Sequence, residues 1–454
     1  MSRILRALPG VIFAAVTAGV GCKVDVDCYK LDPLCGANLL LLYSTQNYPY
    51  INASPGDGAH AIFLSVDGRV RAWGLGSSGQ LGYNNTSNVG DSANTSIIRA
   101  GDVPVGGSVV QVAAGNLHSC ALMANGAVRC WGSNVNGQLG QNNTTSLGNS
   151  AATSIISAGD ISLGGVATQI TAGYGFSCAL LTTGNVRCWG YGNSGRLGYS
   201  AATDVAVSPA TSILATGDVP VGGSVRQISA GLGHTCALLT TGAVRCWGVG
   251  SSGELGYSNT NIVGNAPASS IINAGDVPVG ASVEQIAAGR LSTCALLTTG
   301  AVRCWGSNPS GQLGYNNTTN VGDSPASSII NAGDVPLGGR ATQVVMGDFH
   351  ACALLTTGSV RCWGDGAPGQ LGYNSATNVG NSAASSIVNA GDVPLGGKAV
   401  RITAGEGFTC AILTTGGVRC WGGNGSGMLG YNHTANVGNS AAASIILSGD
   451  VPIF

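Results

Sequence analysis

From residue 51 onward the chain alternates short apolar runs with stretches rich in Gly, Ser and Asn. One stretch reads Val109-Val110-Gln111-Val112-Ala113-Ala114-Gly115, then His118 to Met123, then Val128-Arg129-Cys130-Trp131-Gly132. Each run is brief, alternating or β-branched, and bounded by turn residues, with no apolar recurrence at helical spacing. This pattern predicts an all-β chain of strands and turns. Between the second and third runs, Ala124-Asn125-Gly126 predicts a three-residue hairpin loop with Gly126 in the left-handed position.

The pattern repeats. Trp73, Trp131, Trp189, Trp247, Trp305, Trp363 and Trp421 are all the tryptophans of the chain, each 58 residues after the last. Seven units of three or four short strands predict a ring of twisted sheets, a seven-bladed β-propeller over residues 51–454, which leaves few free sheet edges. A straight solenoid would need a capping repeat, whereas the last unit stops at Gly449-Asp450-Val451-Pro452. Copies two to seven each begin with an apolar strand; the first has only Ile51 to Gly56 there. The N-terminal segment is therefore expected to supply that strand and to close the ring against the last copy.

Twelve of the 15 cysteines sit in the same register. They form the pairs Cys120 and Cys130, Cys178 and Cys188, Cys236 and Cys246, Cys294 and Cys304, Cys352 and Cys362, and Cys410 and Cys420. Each pair is centred on the hairpin loop, which sets the sulfurs opposite each other and predicts six hairpin disulfides. Zinc ligands come in closer C-x₂₋₄-C spacings. In the chain-entropy model a closed loop of this size adds roughly 3 kcal/mol as an upper figure. The first copy carries Ile62 and Ala72 at these places.

The three remaining cysteines lie near the N-terminus. Residues 1–21, with Arg3, Arg6, an apolar run from Leu8 to Ala18 and small residues before Cys22, have the layout of an export signal. Gly19-Val20-Gly21-Cys22 resembles a lipobox, with Gly19 departing from the usual Leu. On that reading Cys22 carries lipid, Cys28 pairs with Cys35, and residues 22–50 form a tether. The alternative is cleavage after Ala18, leaving Cys22 as an odd thiol. The protein is thus expected to be exported, either anchored at the cell envelope by lipid alone or secreted. Charged residues are 9% of the chain, against about a quarter in an average protein. Lys and Arg (19) nearly cancel Asp and Glu (20), so no pull toward nucleic acid follows.

Gly231, His234 to Leu238, Gly242, Val244 to Gly248 and Leu255-Gly256, repeated along the chain, resemble the motif of the regulator of chromosome condensation repeat family. The resemblance covers residues 51–454. It implies a seven-bladed propeller in which the glycines serve turns and the tryptophans pack between blades. The paired cysteines and the loop Gly-Asp-Val-Pro-Leu-Gly-Gly look like the exported bacterial branch. Members of the family include a nucleotide exchange factor on chromatin, a plant ultraviolet receptor and a bacterial inhibitor of β-lactamases, so the fold does not fix the activity. The near-zero net charge and export signal speak against the first. One Trp per blade, with no other, speaks against the second.

The arginines two residues before each Trp (Arg71, Arg129, Arg187, Arg245, Arg303, Arg361, Arg419) and the aspartates of the outer loop (Asp102, Asp160, Asp218, Asp276, Asp334, Asp392, Asp450) predict seven structural ion pairs. The alternative is a basic ring for an anionic ligand. His60, His118, His234 and His350 share one position and are expected to hydrogen-bond a turn. Ser65-Val66-Asp67-Gly68 reads as a hairpin turn. No nucleophile–base arrangement, metal-ligand spacing or phosphate-binding loop is present in the sequence, so no enzyme, metal or cofactor is expected.

Two short turns per unit vary while the scaffold stays constant. Asn116, Leu117, Tyr174, Leu232, Arg290, Asp348, Phe349 and Glu406 lie after the Ala-Ala-Gly-like strands; Tyr191 and Asp365 follow their Trp-Gly, with Gln80, Gln138, Arg196, Glu254, Gln312, Gln370 and Met428 nearby. This diversity predicts a ring of individual contacts about one end of the axis, binding a protein partner; drift at an unconstrained loop is the competing account. A carbohydrate or cell-wall binder is the alternative function, with Tyr174, Tyr191, Phe176, Phe349 and Phe408 as its only aromatic platform. A secreted enzyme inhibitor is the second alternative.

Overall fold

The computed structural model describes residues 48–54 and 56–454. Cys22, Cys28 and Cys35, with the export signal and most of the tether, lie outside the described residues, so the expected lipid site and the pairing of Cys28 with Cys35 do too. Seven three-stranded antiparallel sheets follow one another along the chain, each from a continuous stretch. In blade 1, β1 (Tyr50–Ala53), β2 (His60–Leu64) and β3 (Val70–Gly74) pair in order. Blade 2 repeats the order with β4 (Val109–Ala114), β5 (His118–Met123) and β6 (Val128–Gly132), and five more blades follow. The first strand of blade 1 is formed by Tyr50 and the degenerate stretch itself, Ile51 to Ala53, rather than by the segment before it, and β1 pairs with β2 in its own sheet.

The hairpin between the second and third strands forms as its residues dictate. Met123 N–H donates to Ala127 O (2.8 Å), Gly126 N–H to Met123 O (2.9 Å), and Gly126 has φ 80°. That turn sets Cys120 directly opposite Cys130, and the two are bridged. The same register and bridge join Cys178 to Cys188 in blade 3, Cys236 to Cys246 in blade 4 and Cys294 to Cys304 in blade 5. Cys352 is likewise bridged to Cys362 in blade 6 and Cys410 to Cys420 in blade 7, so all six hairpin disulfides are present. Blade 1 has Ile62 opposite Ala72, both fully buried, so apolar packing fills the space of its missing bridge.

Neighbouring blades are joined at three radii. Nearest the axis, a register shift between Val109 and Gln111, repeated in blades 3 to 7, bulges the first strand. Gln111 then donates from Nε2 to Ile170 O (3.0 Å) and accepts at Oε1 from Ile170 N (2.9 Å), imitating a strand ladder across to blade 3. Gln169, Gln227, Gln285 and Gln343 make the same two bonds to Ile228, Ile286, Val344 and Ile402. In blades 7 and 1 the position falls to Arg401 and Tyr50, and the Arg401 guanidinium packs over the Tyr50 ring at 5.0 Å.

At mid-radius every tryptophan is fully buried and reaches back to the preceding blade. Trp131 Nε1 donates to Gln80 O (2.9 Å), Trp247 to Arg196 O (3.0 Å), and Trp73 of blade 1 to Met428 O of blade 7 (2.9 Å). The first and last blades thus meet as the others do. At the rim, each Arg bonds its own blade's outer loop through Asp and the preceding blade's outer loop through a carbonyl. Arg129 pairs with Asp160 at 2.6 Å and Arg245 with Asp276 at 2.7 Å, and their Nη1 atoms donate to Val105 O and Val221 O, both at 2.7 Å. The pair recurs in all seven blades. Arg71 finds its preceding-blade carbonyl at Ile453 O, next to the C-terminal residue.

Candidate functional site

The turns joining first to second strands, and the loops after each Trp-Gly, gather at one end of the axis. Their place follows from the strands: a turn that leaves an inner strand must lie near the axis, where equivalent positions of seven blades compete for one volume. Identical side chains cannot all occupy it, and the variable turn residues meet there instead of standing apart.

Four of them are interlocked with the first turn of blade 1. Asp348, from blade 6, accepts from Gly56 N–H of blade 1 at Oδ1 (2.9 Å) and from Arg290 Nη1 of blade 5 at Oδ2 (3.1 Å). Its side chain is wholly buried. A Cβ on Gly56 would lie 3.1 Å from Leu232 Cδ1 of blade 4 and 3.3 Å from Asn116 Oδ1 of blade 2, and one on Gly58 would overlap Asn116 O at 1.8 Å. Residues of blades 1, 2, 4, 5 and 6 therefore pack together. Glu406 N–H of blade 7 donates to Ser54 O (3.1 Å), extending this junction.

The exposed part of the end is narrower than the sequence suggests. Tyr174 and Phe349 are each 39% exposed, and Val135, in the second blade's post-Trp loop, is 67% exposed. Leu117, Tyr191, Leu232, Arg290, Asp365 and Glu406 are half-buried. Asn116 and Asp348 are buried, which corrects the expectation of free contacts there: their variation serves packing against Gly56 and Gly58. The Arg290 guanidinium lies 5.5 Å from the Phe349 ring centroid, and Asp365 accepts from Gln370 Nε2 at 3.0 Å.

The carboxamide position in the post-Trp loop proves to be a built feature of the blade. Gln80, Gln138 and Gln312 use Oε1 to accept from Ser78, Asn136 and Ser310 N–H, at 2.8, 2.9 and 2.9 Å. Glu254 copies this with Oε2 from Ser252 N–H (2.7 Å), while Oε1 is buried without a partner. Burial raises its carboxyl to about 7, the two backbone donors opposing less strongly. Arg196 takes the position in blade 3, with its guanidinium 4.6 Å from the Tyr191 ring. The signal for both was visible as a charge in a register that otherwise holds Gln or Met.

The four histidines are buried and join blades more than they cap turns. Nε2 of His60, His118, His234 and His350 meets the hydroxyl of Ser119, Ser177, Thr293 and Thr409 in the next blade, at 2.8–2.9 Å. Those hydroxyls donate onward to Gln80, Gln138, Glu254 and Gln370 carbonyls. Only His60 also meets its own turn, through Nδ1 and Gly58 O (3.1 Å). Burial lowers His60 and His234 to about 4 and His118 and His350 to about 3, holding all four neutral. Where the next blade offers Ala61 or Ala351 in place of the hydroxyl, the preceding position is Phe408 or Ser292. Among the described residues no cluster of three or more His, Cys, Asp or Glu could hold a metal ion.

Comparison with known proteins agrees with this architecture. Over 321 residues the chain is 27% identical to the ultraviolet-B receptor UVR8 of Arabidopsis thaliana, covering 70% of this chain and 66% of the receptor. Over 216 residues it is 34% identical to the probable E3 ubiquitin-protein ligase HERC3 of Homo sapiens, covering 47% of this chain and 19% of the ligase. The chain thus spans less than two thirds of either relative. Yeast RCC1 (Prp20), solved bound to Kap60, superposes with a TM-score of 0.62 at 18% identity, covering 94% of this chain and 90% of that one. The model of the RCC1-like domain matches residues 69–437. With the repeat, the seven sheets and this match in agreement, the chain belongs to the RCC1-like domain family.

Proposed function

We propose that the protein is a non-enzymatic binding propeller that engages a protein partner with the turn end of its axis. The observation that carries this reading is the pair of aromatic side chains, Tyr174 and Phe349, each 39% exposed on an end where Asn116, Leu232, Arg290 and Asp348 are locked together. A large, stiff ring on a rigid frame loses little entropy on binding, and aromatic anchors commonly dominate protein contacts. Yeast RCC1, which shares this fold, was solved bound to a protein, Kap60. Six disulfides suit an oxidising, extracellular environment, and among the described residues no helix is long and apolar enough to cross a membrane. Export with a lipid on Cys22 is the extension of that reading.

The experiment is capture from the envelope and culture medium of the source organism with parent, Tyr174→Ala and Phe349→Ala proteins. A protein retained by the parent and lost by both variants, at unchanged melting temperature, is the expected outcome. Retention by both variants, with loss on changing the outer loop at Asp160 or Asp276, would move the function to the rim. Peptide mapping without reduction tests the compartment: the six hairpin bridges should be found closed in protein taken from the organism. Replacing Cys22 by Ser should release a lipid-anchored protein from the membrane fraction.

A further inference from the structure

In blade 3 the register that holds Gln in four blades holds Arg196, and its side chain is treated differently from the amides it replaces. The residue is 8% exposed. Nε donates to Asn193 O at 2.9 Å, but Nη1 has only long contacts, 3.4 Å to Tyr174 O and 3.5 Å to Leu232 O. Nη2 makes no hydrogen bond among the described residues and is not among the fully enclosed orphan atoms, so it keeps a path to solvent. No described carboxylate lies within ion-pair distance. Asp204, whose charge reaches it, accepts from Gly192 N–H at 2.8 Å instead.

Burying a guanidinium without a counter-charge costs stability, and a Gln at this place would avoid the cost. The position's carbonyl accepts from Trp247 and Thr235 whatever the side chain, and the loop N–H bond that Gln80, Gln138 and Gln312 accept through Oε1 is one that a guanidinium cannot make. The guanidinium is instead set between aromatic walls. Tyr191 stacks on it at 4.6 Å and the Phe176 ring lies at 6.0 Å, while Tyr174, whose carbonyl is 3.4 Å from Nη1, is exposed, and Val249 lies beside it against Gly233. Arg290, the other arginine among the variable turns, is already engaged by Asp348.

We propose that Arg196, with Tyr174 and Tyr191, forms a receptor for one acidic side chain, Asp or Glu, of the protein partner. The free Nη2 edge supplies the charge-assisted bond that a carboxylate takes, and the rings flank its apolar stem. A single unpaired guanidinium matches one carboxylate, whereas a polyanionic chain would need several cations in a row. The inference rests on the turn end being the protein-binding face.

The test uses the full-length protein, Arg196→Gln and three probes: the peptide acetyl-Gly-Glu-Gly-amide, its Gln counterpart, and glucuronate, each titrated by ligand-observed NMR. The Glu peptide should bind the parent, and Arg196→Gln should weaken it about tenfold or more while melting at or above the parent temperature. Equal binding of the Gln peptide, unchanged binding by Arg196→Gln, or binding of glucuronate but not the Glu peptide would overturn the proposal. So would an Arg196→Gln protein that melts well below the parent, since Arg196 would then be structural. If no probe binds while Tyr174→Ala still loses the captured partner, this inference fails and the protein-binding reading stands.

Discussion

The rim and the axis of this propeller are built from the same repeat under opposite constraints. At the rim each blade has its own space, so Arg129–Asp160 and Arg245–Asp276 are near copies, down to the carbonyl each Arg takes from the preceding blade. At the turn end of the axis the copies share one space. There Gly56, Asn116, Leu232, Arg290 and Asp348 hold five different residue types at nearby or equivalent positions and fit one another. Variation among repeats is thus not by itself a mark of binding. Part of it is the breaking of sevenfold symmetry that a shared volume requires.

This contrast can be broken or sharpened by substitution. The largest effect is expected at mid-radius, where symmetry is complete: Trp247→Ala opens a cavity and removes one of the two hydrogen bonds to the Arg196 carbonyl, costing about 3–5 kcal/mol in chemical denaturation. Trp131→Ala and Trp363→Ala should cost nearly the same. A wide spread among the three would mean that the blades are not energetically equivalent.

Next comes the axis. Asp348→Ala leaves Gly56 N–H unsatisfied and Arg290 without its acid, for about 2–3 kcal/mol. Arg290→Ala should also destabilise, by leaving Asp348 buried with one partner fewer. Both are read from thermal or urea melts, and no loss in either would show that the interlocked turns contribute nothing to the fold.

Glu254 tests the axis through pH. Its folded carboxyl titrates at about 7 against an ordinary value of 4.5, so its contribution is fully present below 4.5 and is lost as pH rises through 7. Glu254→Gln should therefore stabilise the protein at pH 8, by on the order of 2 kcal/mol, and change little at pH 4. The buried histidines act oppositely: with folded values of about 3 to 4, stability is full above 6.5 and declines as pH falls toward those values. An equal effect of Glu254→Gln at both pH values would show that its carboxyl is not held neutral.

The smallest effect is expected at the rim. Arg245→Ala removes one partly exposed ion pair and a hydrogen bond to Val221 O, worth about 1 kcal/mol. If it costs as much as Asp348→Ala, the distinction between an open rim and an enclosed axis fails.

The sequence by itself determined what repeats within each copy. Spacing of Trp residues set the number of blades, Cys120 and Cys130 about Gly126 set the hairpin register and its bridge, and the recurrence of Arg129 and Asp160 marked the rim pairs. These are local or strictly periodic relations, and a periodic pattern can be read without knowing where the chain goes. Only the tertiary structure decided what happens between copies. That His60 meets Ser119 rather than a turn alone, that Gln111 joins blade 3, and that Asp348 of blade 6 holds Gly56 of blade 1 all depend on which blades stand side by side and which turns reach the axis. Asn116 and Tyr174 look alike in sequence, both variable residues of one register, yet the first is buried and the second exposed. The reason is geometric: closing the ring brings seven equivalent positions to one axis, and which side chains fill that volume and which are left facing solvent is fixed only by their mutual packing.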